Sequence, residues 1–470
     1  MKRAILFVLA GLLAPALLPA AERKPLPKDL PPLGEDRPLP KPALAVSKLP
    51  NGLTVWTWPR PGVPRFVAVL AVRGGTAADP GGMEGIAELL ADTLKEGTAT
   101  RTSRRIAEEL QSVGGEISAS ASDDAIYVTV NALASGVATA LDILADVARA
   151  ASFPAAEVEL ARGNAIQGLL ARESTPEFLA QKAFARAVFG DHPYHIVAPS
   201  KETLQAATPE ALRREFTRRF RPEGALLVVV GDVDGAAVSA AVTRAFGPWK
   251  GTGEGPAATP PAPAAGPRKL LVVSRPGSVQ SSIMVGRPTP TVTDSDYFPL
   301  LVGNTICAGS FLSSRLVENI REDKGYTYSP GGSVQTMQKG GLLAVNADVR
   351  NEVTGGALLE IFYELDRMGS TLATDEEVSR AKRFQSGLYL LRNQIQGAVA
   401  RTLASNWVNG LPPEALGEFV TKVNAVTADQ VRAVGRTVFP SVTQTVVVVG
   451  DEPKIREEIG EFGPVVSVQP

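Results

Sequence analysis

The sequence predicts an α+β protein of two tandem homologous domains, each a mostly antiparallel β-sheet packed with helices. Three observations carry that expectation: an internal repeat at one fixed spacing, strands that follow one another before runs of helix, and a composition break midway along the chain. Thr208-Pro209-Glu210-Ala211-Leu212-Arg213 opens a helix leading to Phe220 and then to Leu227-Val228-Val229-Val230-Gly231-Asp232. Thr427-Ala428-Asp429-Gln430-Val431-Arg432 leads in the same way to Phe439 and Val447-Val448-Val449-Gly450-Asp451. The offset is 219 residues at helix start, phenylalanine and strand end alike. Helix caps and valine-rich strands match by chance often; one spacing kept through the whole segment points to duplication.

Within the first repeat, Asn51-Gly52 marks a tight hairpin turn, and Leu53 to Trp58 and Phe66 to Val72 read as strands. Apolar residues at Ile86, Leu89, Leu90 and Leu94 predict a helix over about 84–95. A second helix, with Ile106, Leu110 and Val113 inward, stops at Gly114-Gly115. Strands over 116–122 and 125–131 follow, then long helices over about 136–151 and 155–172. The helix from Thr208 and the strand to Val230 close the domain.

The expected boundaries follow composition. Lys2 and Arg3 precede the apolar run Ala4 to Leu18, with small residues at Ala20 and Ala21, so 1–21 reads as an export signal and the mature chain as periplasmic or secreted. Residues 22–44 form a Pro-rich tether, 45–250 a first domain, 251–268 a Gly/Pro/Ala linker without apolar period, and 269–470 a second domain. No later stretch reaches the roughly 20 apolar residues of a membrane span, so no integral span is expected.

Charge and rare residues narrow the function. Lys plus Arg number 48 against 49 Asp plus Glu, a net charge of -1, so no basic field gathers nucleic acid. The single cysteine, Cys307, excludes an internal disulfide framework and any multi-cysteine metal site. His192 and His195 are the only histidines, three apart around Pro193, with no nearby third ligand. Export without disulfides fits a bacterial periplasm, because a chain of 470 residues can rely on burial for stability.

Taken together, Leu49-Pro50-Asn51-Gly52-Leu53, the run Gly85-Ile86-Ala87 to Gly97-Thr98, Phe153-Pro154, His192-Pro193-Tyr194 and the Val-Val-Val-Gly-Asp strand resemble the M16 (insulinase or pitrilysin) peptidases. The resemblance spans about 45–451 and is nearest to the two-domain bacterial and processing-peptidase-like branch. It implies a LuxS/MPP-like metallohydrolase type of fold, half of a hinged chamber around an extended peptide. Active members carry an inverted zinc motif, H-x-x-E-H, on the first-domain helix and a further Glu ligand on a later helix. At the matching positions this chain has Glu88 and Asp92 for the histidines, Ala91 for the catalytic glutamate, and Gln167 near the distal ligand.

A zinc peptidase needs three protein ligands, an open position for water and a carboxylate base. Glu88 and Asp92, at i and i+4, share a helical face, but two carboxylates suit hard cations, which acidify water far less than zinc. The plain reading makes Glu84, Glu88 and Asp92 the solvated stripe of an amphipathic helix with Lys95 as partner. No catalytic residue is therefore expected in this chain alone, and no cofactor bound by it.

The second domain keeps the other signature. Gly309-Ser310-Phe311-Leu312-Ser313-Ser314-Arg315-Leu316 leads into a helix with Ser313 or Ser314 as N-cap, Leu316 and Ile320 inward, and Gly325 as the stop before a strand at Tyr326. By the resemblance, Arg321 and Tyr328, seven apart, bind substrate: an Arg fork grips a peptide carbonyl and a phenol donates to the oxyanion. The bland alternative is an Arg on the last helical carbonyls and a packing Tyr. The leading expectation is the non-zinc subunit of a periplasmic heterodimeric M16-type metallopeptidase, inactive alone, whose partners are a zinc-bearing homologue and extended or unfolded peptides. The alternatives are a catalytically dead binding or assembly module and a stand-alone metalloendopeptidase with an atypical metal site.

Overall fold

The structure is a computed structural model that describes residues 43–469 apart from residue 311. The expected export signal, 1–21, and residues 22–42 of the expected tether lie outside the described residues. In the first half the strands are β1 (Ala45–Lys48), β2 (Thr54–Pro59), β3 (Arg65–Arg73), β4 (Glu116–Ala121), β5 (Ala125–Leu133) and β6 (Ala225–Gly231). They form a six-stranded sheet in the order β1-β2-β6-β3-β5-β4, in which the pairing of β2 with β6 is parallel and the others are antiparallel. The second half repeats it with β7 (Lys269–Ser274), β8 (Gln280–Thr289), β9 (Gly331–Met337), β10 (Gly340–Arg350), β11 (Thr445–Gly450) and β12 (Val465–Val468), ordered β12-β7-β11-β8-β10-β9. There β7 pairs in parallel with both β11 and β12.

The helices of the first half are α1 (Ile86–Thr93), α2 (Ser103–Ser112), α3 (Val137–Ala150), α4 (Ala155–Glu173), α5 (Pro176–Phe189), α6 (Lys201–Ala206), α7 (Pro209–Arg219) and α8 (Gly235–Phe246). Those of the second are α9 (Tyr297–Asn304), α10 (Thr354–Ser370), α11 (Asp375–Arg392), α12 (Gln396–Val408), α13 (Ala415–Ala425), α14 (Ala428–Val438) and α15 (Glu452–Gly460). The expected fold class holds, two sheet-and-helix domains. Between α8 and β7, residues 251–266 carry no helix or strand.

The valine run of β6 explains the layering. Leu227 and Val229 point to one face, where they join the core under α1, α3, α7 and α8. Leu226, Val228 and Val230 point to the other, and every residue of β6 is buried. A strand apolar on both faces needs cover on both, and its alternation hands each face a complete set of side chains. The second cover comes from the other half of the chain. Helix α12 lays Val399, Ala400, Leu403 and Ala404 on the face formed by Trp56, Val69, Tyr127 and Val228. Reciprocally, α5 lays Ala180, Ala183, Phe184 and Val188 on the β8, β10 and β11 face built from Ala344, Val447 and Val449. Helices α5 and α12 end 219 residues apart and start 220 apart, so the duplicated halves have exchanged equivalent helices. Each large apolar side chain buried this way contributes about 1.5–3 kcal/mol, which makes the exchange a principal fastening between the halves.

Helix α5 lies outside the expected elements, as do α6 and α8. Its signal is nonetheless present: Thr175 accepts from the Phe178 amide as N-cap and Pro176 sits at the first helical position. Phe178 and Phe189 then share one side, three turns apart, while Phe184 stands about 120° away, because α5 is gripped on more than one side.

Candidate functional site

Helix α1 begins at Gly85, whose φ of +87° and whose ideal Cβ, 2.4 Å from Pro199 Cα, exclude any side chain. Its first turn is tied down by a buried ionic knot. Asp79 Oδ2 accepts from the Gly85 amide at 2.6 Å, and Asp79 Oδ1 accepts from Arg219 at 2.6 Å. Arg219, from the end of α7, also donates to the Gly74 and Gly75 carbonyls at 2.6 Å each and to Glu215 at 2.9 Å. The side chains of Arg219 and Asp79 are 0% exposed. Burial pushes the Asp79 carboxyl up to about 6, against the pull of Arg219 and the Gly85 N–H.

The motif positions follow from that start. Ala91 is buried in the first core, so where the family has its catalytic base the backbone is packed against apolar side chains. Glu88 is half-buried rather than solvated: burial raises its carboxyl to about 7, with Asp92, Asp79 and Asp123 adding to the rise and Arg172 opposing it. Burial also raises Asp92, which is otherwise exposed. Lys95 forms its ion pair with Glu96, which also accepts from Ser103, and its charge still favours the ionised form of Asp92, so the expected solvated stripe is corrected at Glu88, which is half-buried. Gln167 stands exposed on α4. This donor set does not fit zinc: it offers no imidazole, burial works against the charge of both carboxylates, and the third position is an amide. Among the described residues no cluster of three or more His, Cys, Asp or Glu could hold a metal ion.

Both histidines are spent on structure. His192 Nδ1 accepts from the Tyr194 amide at 3.2 Å and its Nε2 reaches the Pro260 carbonyl at 2.9 Å. His195 Nδ1 meets the His192 carbonyl at 2.8 Å and its Nε2 meets Arg186 at 3.3 Å. Between them, buried Tyr194 donates to Asp124 Oδ1 at 2.8 Å and accepts from the Lys339 amide at 3.0 Å, while Asp124 Oδ2 accepts from the Gln338 amide at 2.7 Å. This junction ties the β4–β5 turn to the β9–β10 turn of the other half. Sequence reasoning missed it; the adjacent acids Asp123 and Asp124 in a two-strand turn were its only local trace.

The second group of site residues sits on a π-helical segment, Val317–Asp323. Ser314 is the cap, accepting from the Val317 amide at 3.4 Å, and Leu316 and Ile320 are buried. Gly325, with φ +62°, ends the turn, and the Tyr326 amide reaches back to the Ile320 carbonyl at 2.8 Å. The expected strand at Tyr326 instead begins at Gly331, because residues 326–330 have no partner strand and β9 first pairs with β10 at Gly331 and Asn346. That leaves Tyr328 74% exposed, with the Arg321 guanidinium 4.7 Å from its ring centroid. Arg321 also pairs with Glu322 at 3.1 Å. The structure thus joins Arg321 to Tyr328, and couples Glu88 to Asp92, within separate halves.

Arg315 anchors the segment to α11 through two bonds to Glu377, 2.6 and 3.0 Å. Burial alone would raise Glu377, but Arg315 and the Thr374 amide bring its carboxyl down to about 2. Glu377→Gln is expected to destabilise the fold by about 2 kcal/mol at pH 7, since the partly wet pair is screened. A depressed acid stabilises above its unfolded value and loses that contribution as pH falls toward 2, so the gap between variant and parent should shrink between about pH 4.5 and pH 2. Urea unfolding at pH 7 and pH 2.5 checks this; an unchanged gap would assign the loss to packing.

Comparison with known proteins gives two matching family profiles, of which the second begins within the first half, before α7. The sequence profile of the insulinase family (peptidase family M16) matches residues 61–198, and that of the peptidase M16 inactive domain matches residues 206–384. An uncharacterized zinc protease of Streptomyces coelicolor is 26% identical over 397 residues, covering 83% of this chain and 86% of the relative. One of Mycobacterium tuberculosis is 27% identical over 400 residues, covering 83% and 89%. Among solved structures, a peptidase M16 inactive domain from Pseudomonas fluorescens superposes with TM-score 0.80 at 22% identity, covering 87% of this chain and 98% of that one. A protease from Helicobacter pylori gives TM-score 0.80 at 19% identity, covering 87% and 99%. These two share the fold. Among the described residues no helix is long and apolar enough to cross a membrane.

Proposed function

Because the chain belongs to the M16 peptidase family, we propose that it is the non-zinc subunit of a periplasmic heterodimeric metallopeptidase, closing the chamber and positioning peptide for a zinc-bearing homologue. One contrast carries the reading. The position of the catalytic base is a buried alanine, Ala91, whereas Arg321 and Tyr328 stay seven residues apart, the half-buried guanidinium 4.7 Å from the ring centroid of a tyrosine open to solvent. A chain that had lost all contact with substrate would have no use for an exposed tyrosine held over a guanidinium.

In this role Arg321 grips a peptide carbonyl and the Tyr328 phenol donates to the oxyanion that forms as the bond is attacked. Zinc, held by the partner, supplies the activated water. The peptide itself would add as a strand to an exposed sheet edge, a mode largely blind to sequence. The free edges β4 and β9 offer such places.

The test is reconstitution. The purified chain is mixed with the zinc-bearing homologue and an unstructured peptide is assayed with and without chelator. The expected result is no cleavage by this chain alone and strong, chelator-sensitive cleavage by the mixture. No gain over the homologue alone rejects the pairing, and stoichiometric zinc in this chain with cleavage by it alone would establish the stand-alone reading instead.

A further inference from the structure

A cavity of about 490 Å³ opens between the exchanged helix α5 and the sheet of the second half. The internal duplication explains why it is there. Val228 of β6 and Val447 of β11 are counterparts by the 219-residue offset. They pair with Val69 and Met284, which makes Ala71 the counterpart of Gly286 and, one strand further, Tyr127 the counterpart of Ala344. On the first sheet that place is filled by the Tyr127 ring with the Arg401 guanidinium 3.6 Å from its centroid. On the second, the smaller Ala344 leaves room beside the Phe184 ring, which packs over Gly286, and Met284, Leu342 and Phe189 line the same space.

The charge of the cavity is one-sided. Asp123 comes from the β4–β5 turn, Glu177 from the first turn of α5 and Asp348 from β10. No lysine, arginine or histidine lines the cavity among the described residues, and none of the three carboxylates forms an ion pair there. Glu177 and Asp348 repel one another, and the hydroxyl of Ser282 partly relieves Asp348. Asp348 lies six residues along β10 from Leu342, roughly 20 Å at strand spacing, and Asp123 neighbours the Asp124 junction at the Leu342 end. A floor that mixes Met and Leu with Ser, Gln and Asn side chains therefore carries acid at both ends. Opposite charge on a stem that can bury its methylenes is what such a surface attracts.

We propose that this cavity binds primary amines on apolar stems, either lysine side chains of an extended peptide or a free aliphatic diamine. The inference rests on the proposed function only in naming a peptide as one source.

The test uses the purified chain without its partner, so its outcome is separate from that of reconstitution. The probes are a fluorescent, unstructured peptide containing leucine and lysine, the same peptide with every lysine acetylated, and 1,8-diaminooctane as competitor. The unmodified peptide is expected to bind at least tenfold more tightly than its acetylated twin. Glu177→Gln with Asp348→Asn should weaken it about tenfold, and Ala344→Tyr, which fills the cavity as Tyr127 fills the first sheet, should abolish binding. Displacement by the diamine assigns free amines as ligands; failure of the diamine while the peptide binds assigns the peptide side chain. Equal binding of both peptides, binding by neither probe, or unchanged affinity in the carboxamide variant overturns the proposal. Thermal unfolding verifies that Ala344→Tyr folds, and should it not, the carboxamide variant decides.

Discussion

Arg321→Ala is expected to lower kcat/KM of the reconstituted heterodimer by about 10²-fold, because the charged grip on the peptide carbonyl is lost and Tyr328, the oxyanion donor, loses the guanidinium that holds its ring in place. The fold should be untouched, because Tyr328 beside it is 74% exposed and the segment is held by Ser314, Ile320 and the Arg315–Glu377 pair. Tyr328→Phe should reproduce most of the loss in kcat with little change in KM, since only the phenolic O–H is removed and the ring remains under the guanidinium. Steady-state kinetics with the partner in excess check both. An unchanged rate in Arg321→Ala, with complex formation intact, would leave the chain a binding or assembly module.

The second large effect lies far from substrate. Arg219→Met should destabilise the protein by about 3–5 kcal/mol, because Asp79 would be left as a buried charge without its cation, Glu215 with Arg218 alone, and the Gly74 and Gly75 carbonyls without a donor. The triple variant Arg219→Met, Asp79→Asn, Glu215→Gln should recover much of that loss, since the cost resides in the uncompensated charge rather than in the pair itself. Equilibrium unfolding in urea measures both. If the single and triple variants are equally unstable, the knot acts through packing and not through charge.

Much of this architecture was legible in the sequence where period and punctuation coincide. Leu89, Leu90 and Leu94 place α1, the Gly114-Gly115 stop places the end of α2, and the 219-residue offset places the second half from the first. The motif substitutions at Glu88, Ala91 and Asp92 are equally plain, since they need only identity at a position. What escaped is whatever depends on partners distant in the chain. Glu88 looks solvated on a helical wheel; its half-burial comes from packing α1 against α4 and β4. Tyr326 and Tyr328 have strand-forming side chains, yet a strand exists only where another strand lies alongside, and β10 offers none before Gly331. Helix α5 carries apolar residues on more than one side because it serves the far sheet as well as its own half, a requirement that no local pattern announces.

The exchange of α5 and α12 sets the order in which this protein can be completed during synthesis. When β6 has emerged from the ribosome, the indole rings of Trp56 and Trp58 and the outward valines have no lid, because theirs is encoded by residues up to Val408. At about 5–20 residues per second, that face waits roughly 10–40 s for its cover. Throughout that interval the nascent chain is a sticky, half-built object, and a holding factor that shields one broad greasy sheet is the kind of helper its biogenesis calls for.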